Sequence, residues 1–313
     1  LSRFAQSAFL PSRDVLQGMA PVELFSQSAF PPIGDDDYHL TVAPHHFYWF
    51  KLVPEDDVQR DHSRQSGLQP VEVAANGRSR PVLPVAEGLQ NLLVPTMARR
   101  RGPEQLESLL PEFIKKQRWF GAKGTEIAAV HIEDAVRLHA APAIYLVVLE
   151  VELETETTFY MLPLMAAAPD HAAPVLEERP DATVAWLRID DTDERRMVYD
   201  ATVDPHFWST LFRWWRQGSR GRSLKGVYAA EPSTAAARES ATDIELITGE
   251  QSNTSALING DYFAKIYRRL EEGPNPEKEL LQHLTDVGFN FSPRLHGTFY
   301  FRRQHRRYTL GVF

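Results

Sequence analysis

Lys265 lies in the run Tyr262-Phe263-Ala264-Lys265-Ile266-Tyr267. Strand alternation puts it on one face with Phe263 and Tyr267, while Ala264 and Ile266 point to the other side. A lysine in that position can meet a phosphate, and Phe263 beside it can serve as a floor for a nucleotide base. Upstream, Gly249-Glu250-Gln251-Ser252-Asn253-Thr254-Ser255 collects hydroxyls, an amide and backbone N–H groups in one polar turn. Ser252, Asn253, Thr254 and Ser255 are the candidate neutral donors there, with Lys265 supplying charge. Downstream, Glu277 and Glu279 are both candidates to pair with Lys265, and Glu279 is preferred. Taken singly, a polar turn is usually structural and a strand lysine usually solvated. The case rests on their combination.

The local signals that position these residues agree. Ile244, Leu246 and Thr248 alternate with polar neighbours, a polar turn follows, and Asn259-Gly260 joins two apolar runs in the manner of a type I′ hairpin. Asn275-Pro276 then supplies an N-cap and a first-turn proline ahead of Leu280, Leu281, Leu284 and Val287. The order is strand, polar turn, strand, tight turn, strand, helix. A protein-kinase-like N-lobe is built in that order, with a hairpin over the phosphates, a lysine on the third strand and a helical glutamate. The phosphate loop is not the glycine-rich kind, since neither GxxxxGK[ST] nor GxGxxG occurs.

Three motifs in sequence, QRWFGAKG, EQSNTS and FAKIYRRLEEGPNPEKE, resemble maltokinase, a kinase-like small-molecule kinase related in appearance to aminoglycoside phosphotransferases. The likeness covers roughly residues 90 to 313. LSRFAQ, PVELFS, FPPIG and FYWFKL, within the first fifty-odd residues, resemble the C-terminal β-domain of trehalose synthase, an α-amylase-family isomerase of maltose and trehalose. The two likenesses stand in the order of a known fusion. What the resemblance implies is transfer of the ATP γ-phosphoryl group to the anomeric hydroxyl of maltose, giving maltose 1-phosphate for α-glucan synthesis, with Mg2+ as cofactor. In such kinases the catalytic Asp and the metal-binding Asn and Asp follow the hinge, so they are expected beyond Phe313, and no catalytic or metal-binding residue is assigned here. The amylase carboxylates are likewise expected upstream of Leu1, with the rest of the polypeptide as the partner of this piece. Leu1 is not Met and Phe313 closes an apolar run, so both ends look cut, and the chain by itself is expected to be inactive because the catalytic C-lobe and the amylase barrel are expected outside it.

The expected fold class is α+β and multidomain: a β-domain over 1–53, a linker over 54–88, a cap domain over 89–232 and the first part of the kinase-like lobe over 240–313. Within the cap, Leu106, Leu109, Leu110, Phe113 and Ile114 predict a helix from near Pro103, and residues 127–165 predict a small antiparallel sheet. Asp204-Pro205 and Gly218 bracket a helix whose Phe207, Trp208, Leu211, Phe212 and Trp215 are read as core, with a ligand platform as the alternative. In QRWFGAKG the aromatics Trp119 and Phe120 are read as packing and Lys123 as a candidate regulatory contact.

Composition narrows the classes further. The 313 residues are 43% hydrophobic and 24% charged, with a formal net charge of -8 and no cysteine. Disulfides and thiolate sites are excluded, and a reducing cytoplasm is the expected location. The acidic balance disfavours nucleic acid and anionic membranes, and no run approaches the roughly 18 apolar residues of a membrane span. Of 11 histidines only His45 and His46 adjoin, on opposite strand faces, which argues against a shared metal. Asp35, Asp36 and Asp37 read as a solvated loop. There is no GxSxG elbow. The competing class is a non-catalytic carbohydrate-binding or interaction module, suggested by residues 1–53 and by two basic stretches, Arg213 to Lys225 and Arg302 to Arg307.

Overall fold

A computed structural model describes residues 6–10, 16–23, 33–34, 38–42, 50–54, 71–73, 79–94, 102–122, 124–154, 156–190, 192, 194–233, 240–247 and 253–313. Chain contacts divide it into two compact units, Leu1–Gln69 with Ala122–Gly124, and Pro70–Gly121 with Thr125–Phe313. In the first unit β1 (Gln6–Leu10), β2 (Met19–Glu23), β3 (Tyr38–Val42) and β4 (Phe50–Pro54) form two antiparallel pairs, β1 with β3 and β2 with β4. Strands were expected in this stretch. Asp35, Asp36, Asp37, His45 and His46 lie outside the described residues.

The second unit opens with β5 (Val71–Val73) and β6 (Ser79–Val85), where the sequence reading placed a linker. Leu83 and Val85 of β6 are buried, and the strand runs parallel to a later one through Val82 to Val85. Its prolines hid it, because proline lacks a ladder donor and argues against an interior strand. β5 pairs with 79–81 and the later strand with 82–85, so each half of β6 is hydrogen-bonded on one side only. α1 (Gln90–Leu93), α2 (Gly102–Glu107) and α3 (Leu110–Lys115) follow. The single helix expected from Pro103 is thus two short ones. Pro111 lacks an N–H and sits in the first turn of α3, where none is needed, so a new helix starts there. Leu106, Leu110, Phe113 and Ile114 are all buried.

β7 (Ile127–His139), β8 (Ala143–Leu153) and β9 (Thr157–Ala167) make the antiparallel meander expected over 127–165. α4 (Pro169–Glu178), β10 (Thr183–Ile189) and β11 (Arg195–Asp200) complete this region. Its sheet has the order β5-β6-β10-β11-β9-β8-β7.

α5 (Pro205–Arg216) carries the aromatic stripe. Asp204 caps it by accepting from the His206 N–H at 2.8 Å. At its other end Gly218, at φ +59°, donates to Trp215 O while Ser219 donates to Trp214 O, a Schellman closure. Phe207, Trp208, Leu211, Phe212 and Trp215 are 0–1% exposed, so the stripe is core. At about 1.5–3 kcal/mol for each buried side chain, this helix is a main source of the unit's cohesion. It contacts β7 on one side and three strands of a second sheet on the other.

That second sheet contains β12 (Arg220–Arg222), β13 (Val227–Pro232), β14 (Ile244–Ile247), β15 (Asn253–Ile258) and β16 (Tyr262–Tyr267). After the two-residue β17 (Arg269–Leu270) and α6 (Pro276–Asp286), β18 (Gly297–Arg303) and β19 (Arg306–Val312) finish it. The order is β12-β13-β18-β19-β16-β15-β14. β12 and β13, assigned to the cap from sequence, therefore belong to the sheet of the following segment. Buried residues of both sheets join one core, so the boundary expected near 232–240 separates sequence segments and not two independent cores. Among the described residues no helix is long and apolar enough to cross a membrane, which says nothing of strands.

Candidate functional site

Five strands of the second sheet run antiparallel in the order β14-β15-β16-β19-β18, with α6 inserted between the third and fourth of them in sequence. The β15–β16 turn is the one expected: Asn259 and Gly260 have φ of 53° and 71°, the left-handed pair a type I′ turn needs. The Asn259 side chain also accepts from the N–H groups of Thr242 and Asp243, tying the hairpin to the start of β14.

Ser255, Lys265 and Val312 are cross-strand neighbours, as are Asn253 and Tyr267, and Leu257 and Phe263. Directly opposed residues share a face, so Asn253, Ser255, Phe263, Lys265 and Tyr267 stand together. Phe263 is 38% exposed. Tyr267 is buried with Leu295 and Val312, and its ring centroid is 6.0 Å from Lys265 Nζ. On the other face Ala256, Ile258, Ala264 and Ile266 are buried in the common core. β19 comes close because residue 311 is glycine: a Cβ there would stand 2.2 Å from the Lys265 carbonyl oxygen and 2.3 Å from the Phe299 ring.

Lys265 Nζ donates to Glu277 Oε1 at 3.0 Å. The preferred partner from sequence was Glu279, and the structure assigns the pair to Glu277 instead. Two helical positions differ by about 200° around the axis, so when Glu277 faces the sheet Glu279 faces away, and it is exposed. Asn275 Oδ1 accepts from the Lys278 N–H at 2.9 Å, capping α6 and placing Glu277 in the first turn, where a carboxylate suits the helix dipole.

A second correction concerns Thr254. β15 already has strand form at Asn253, so Thr254 points away from Lys265, and its hydroxyl accepts from Arg268 Nε at 2.8 Å. It is no donor to the Lys265 face. Ser252 lies outside the described residues, as does Lys123.

Arg268 is the residue that sequence reasoning passed over. Its side chain is 1% exposed, and one terminal nitrogen meets Asp200 Oδ2 at 2.8 Å and Thr202 Oγ1 at 2.7 Å. The other donates to Met161 O at 3.4 Å. The guanidinium lies 4.8 Å from the centroid of Trp119, within cation–π range. Burial pulls its pKa below the usual arginine value, and the Asp200 charge opposes that shift. The Arg268 carbonyl accepts from Met161 N–H, and the next two residues, β17, pair with β9. The chain therefore passes from one sheet to the other at Arg268. Its signal was available: residue 268 continues the alternation of the buried positions 264 and 266. Trp119 and Phe120 of QRWFGAKG pack on Tyr160, so the motif supports this junction.

Four cations of the two basic stretches are paired within the fold. Lys225 and Arg303 both pair with the buried Glu133, Arg306 pairs with Glu272, and Arg307 pairs with Glu231 while stacking on Tyr300. Trp215 is fully buried. Among the described residues no group of three or more His, Asp or Glu side chains could hold a metal ion.

Two family models match the chain: the maltogenic amylase C-terminal domain over residues 1–49 and the maltokinase N-terminal cap domain over residues 113–204. Trp119, Met161, Asp200 and Thr202, the cap-side partners of Arg268, all fall in the second segment. A trehalose synthase from Thermus thermophilus is 32% identical over 228 residues, 73% of this chain and 22% of the relative. A trehalose synthase from Pimelobacter sp. (strain R48) is 43% identical over 60 residues, 19% of this chain and 10% of the relative. The chain thus spans less than a quarter of the curated relatives it matches. An amylase-type C-terminal domain followed by a maltokinase-type cap, with trehalose synthase relatives, is the arrangement of a trehalose synthase–maltokinase fusion.

Proposed function

We propose that the face carrying Lys265 is the phosphate-clamping side of a kinase-like N-lobe. In this reading it serves a maltokinase that uses ATP and maltose, joined to a trehalose synthase. The observation that carries the reading is the Lys265–Glu277 pair on the third strand and first following helix of the β14-β15-β16-β19-β18 sheet. In kinase-like folds a lysine–glutamate pair in that position holds the nucleotide phosphates. Asn253 and the buried Ser255 share the face of Lys265 as neutral polar groups, and Phe263 is an open apolar platform for the base. Lys265 orients and neutralises phosphate oxygens, and Glu277 keeps its ammonium directed over the face. Phosphoryl transfer to the anomeric hydroxyl of maltose also needs a carboxylate to position that hydroxyl and a metal to bridge phosphates. No described residue is assigned either task.

Titrating the full chain with ATP and Mg2+ by calorimetry and by thermal shift tests the reading. We expect saturable binding that Lys265→Ala weakens at least about tenfold, the loss of one charge-assisted contact. Binding that is indifferent to Lys265→Ala would refute it, and retention of the chain on maltose or glucan supports without any ATP response would favour the carbohydrate-binding module.

A further inference from the structure

We infer that Arg268 is the positioning residue through which the cap segment sets the phosphate-binding face, an inference that rests on the proposed ATP site. The argument is one of register. In a strand, a slip of one residue moves every side chain to the opposite face. The guanidinium fixes two strands at once. Held inward by Asp200, Thr202 and Met161, Arg268 keeps positions 264, 266 and 268 on the core face of β16, which leaves Lys265 outward. Through Nε it draws Thr254 inward on β15, which leaves Asn253 and the buried Ser255 on the same face as Lys265. The three polar groups of the Lys265 face thus inherit their side of the sheet from a single buried cation anchored in the cap.

A purely structural role explains this network poorly. An apolar residue would fill the space at lower desolvation cost, since a buried ion pair commonly contributes less to stability than well-packed hydrophobic side chains. What the charged group adds is directionality: its planar fork donates to three fixed acceptors on the cap and one on β15. The junction also lies where the chain crosses from the second sheet to the first, so movement of the cap strands β9 and β11 relative to β16 is transmitted to Thr254 and Lys265 together.

The test uses the full chain and five proteins: parent, Thr254→Val, Thr254→Ser, Lys265→Ala, and Ile144→Val as a core variant away from the junction. ATP affinity is measured in the presence of Mg2+, together with melting temperature and hydrogen exchange of amides 253–258. Thr254→Val should weaken ATP binding roughly 3- to 10-fold, the range of one lost hydrogen bond, and speed exchange in β15. Thr254→Ser, which keeps the hydroxyl, should restore both. Ile144→Val should lower the melting temperature while leaving ATP affinity at the parent value. Equal ATP affinity in Thr254→Val and Ile144→Val, with Lys265→Ala impaired, overturns the positioning role and leaves the ATP site standing. Unimpaired binding by Lys265→Ala removes the ATP site and with it the inference about phosphate. Exchange in β15 unaltered by Thr254→Val shows that the cap does not hold that strand and overturns the inference on its own.

Discussion

Lys265 and Arg268 stand three residues apart, each beside a carboxylate, and the two pairs have opposite settings. Arg268 and Asp200 are 1% and 4% exposed, and further hydrogen bonds surround them. Lys265, on β16, is 15% exposed, and Glu277, on a helix with no buried residue, is 40% exposed. Odd spacing on a strand puts the first inside and the second outside. A charge enclosed by its own fold has its partners chosen in advance, whereas a charge left at the open face keeps donors for something that is not part of the chain. In the proposed reading the inner pair holds the strand in place and the outer pair is available for ligand.

The sharpest way to break this contrast is to remove the inner carboxylate. Asp200→Ala leaves Arg268 charged and buried without a counter-ion, and loss of one partner of a buried pair costs about 3–5 kcal/mol. It also strips the Thr202 N–H and hydroxyl of their acceptor. Chemical denaturation should show that loss. Asp200→Asn combined with Arg268→Met removes both charges while keeping an acceptor for Thr202, and should recover a large part of it. A cost below about 1 kcal/mol for Asp200→Ala would mean that water reaches the guanidinium and that the two pairs are alike.

How far the contrast was legible beforehand depended on whether the cause was local. The hairpin at Asn259-Gly260, the caps at Asp204 and Asn275, and the placing of Lys265 on the face opposite Ala264 and Ile266 follow from backbone preferences and alternation within a few residues. The Arg268 network joins residues 68 and 107 positions apart, and nothing near residue 200 announces a partner near 268. Thr254 was misread for a related reason: where a polar turn ends and a strand begins decides which hydroxyls face out, and that boundary shifts with tertiary pairing. Glu279 was preferred over Glu277 although the N-cap was correctly located, because the rotation of α6 against the sheet is set by packing. β6 was lost to its prolines, and β12 and β13 were counted with the cap because sequence order hides sheet membership.

An intermediate perturbation acts on the support of the outer pair. α6 buries no residue fully, so its first turn depends on the Asn275 cap, and Asn275→Ala should cost about 1 kcal/mol. The loss should be local, with amides 278–281 exchanging several times faster while β8 and β9 keep their protection. Asn275→Asp retains the acceptor and should behave as the parent. If Asn275→Ala destabilises β8 and β9 equally, α6 is part of the common core and the outer pair is less independent than its exposure suggests.

The smallest expected effect on stability is in the outer pair itself. Glu277→Gln keeps the side-chain shape and removes the charge, and an ion pair this accessible contributes about 0–1 kcal/mol, less as salt rises. Melting curves of parent and variant should differ slightly at low ionic strength and coincide near 0.5 M salt, roughly where the Debye length falls to a few ångströms. ATP affinity, by contrast, should fall, because Lys265 loses the carboxylate that holds Nζ over the face shared with Ser255 and Asn253. A stability loss as large as that of Asp200→Ala, with ATP affinity unchanged, would reverse the assignment and make the outer pair the structural one.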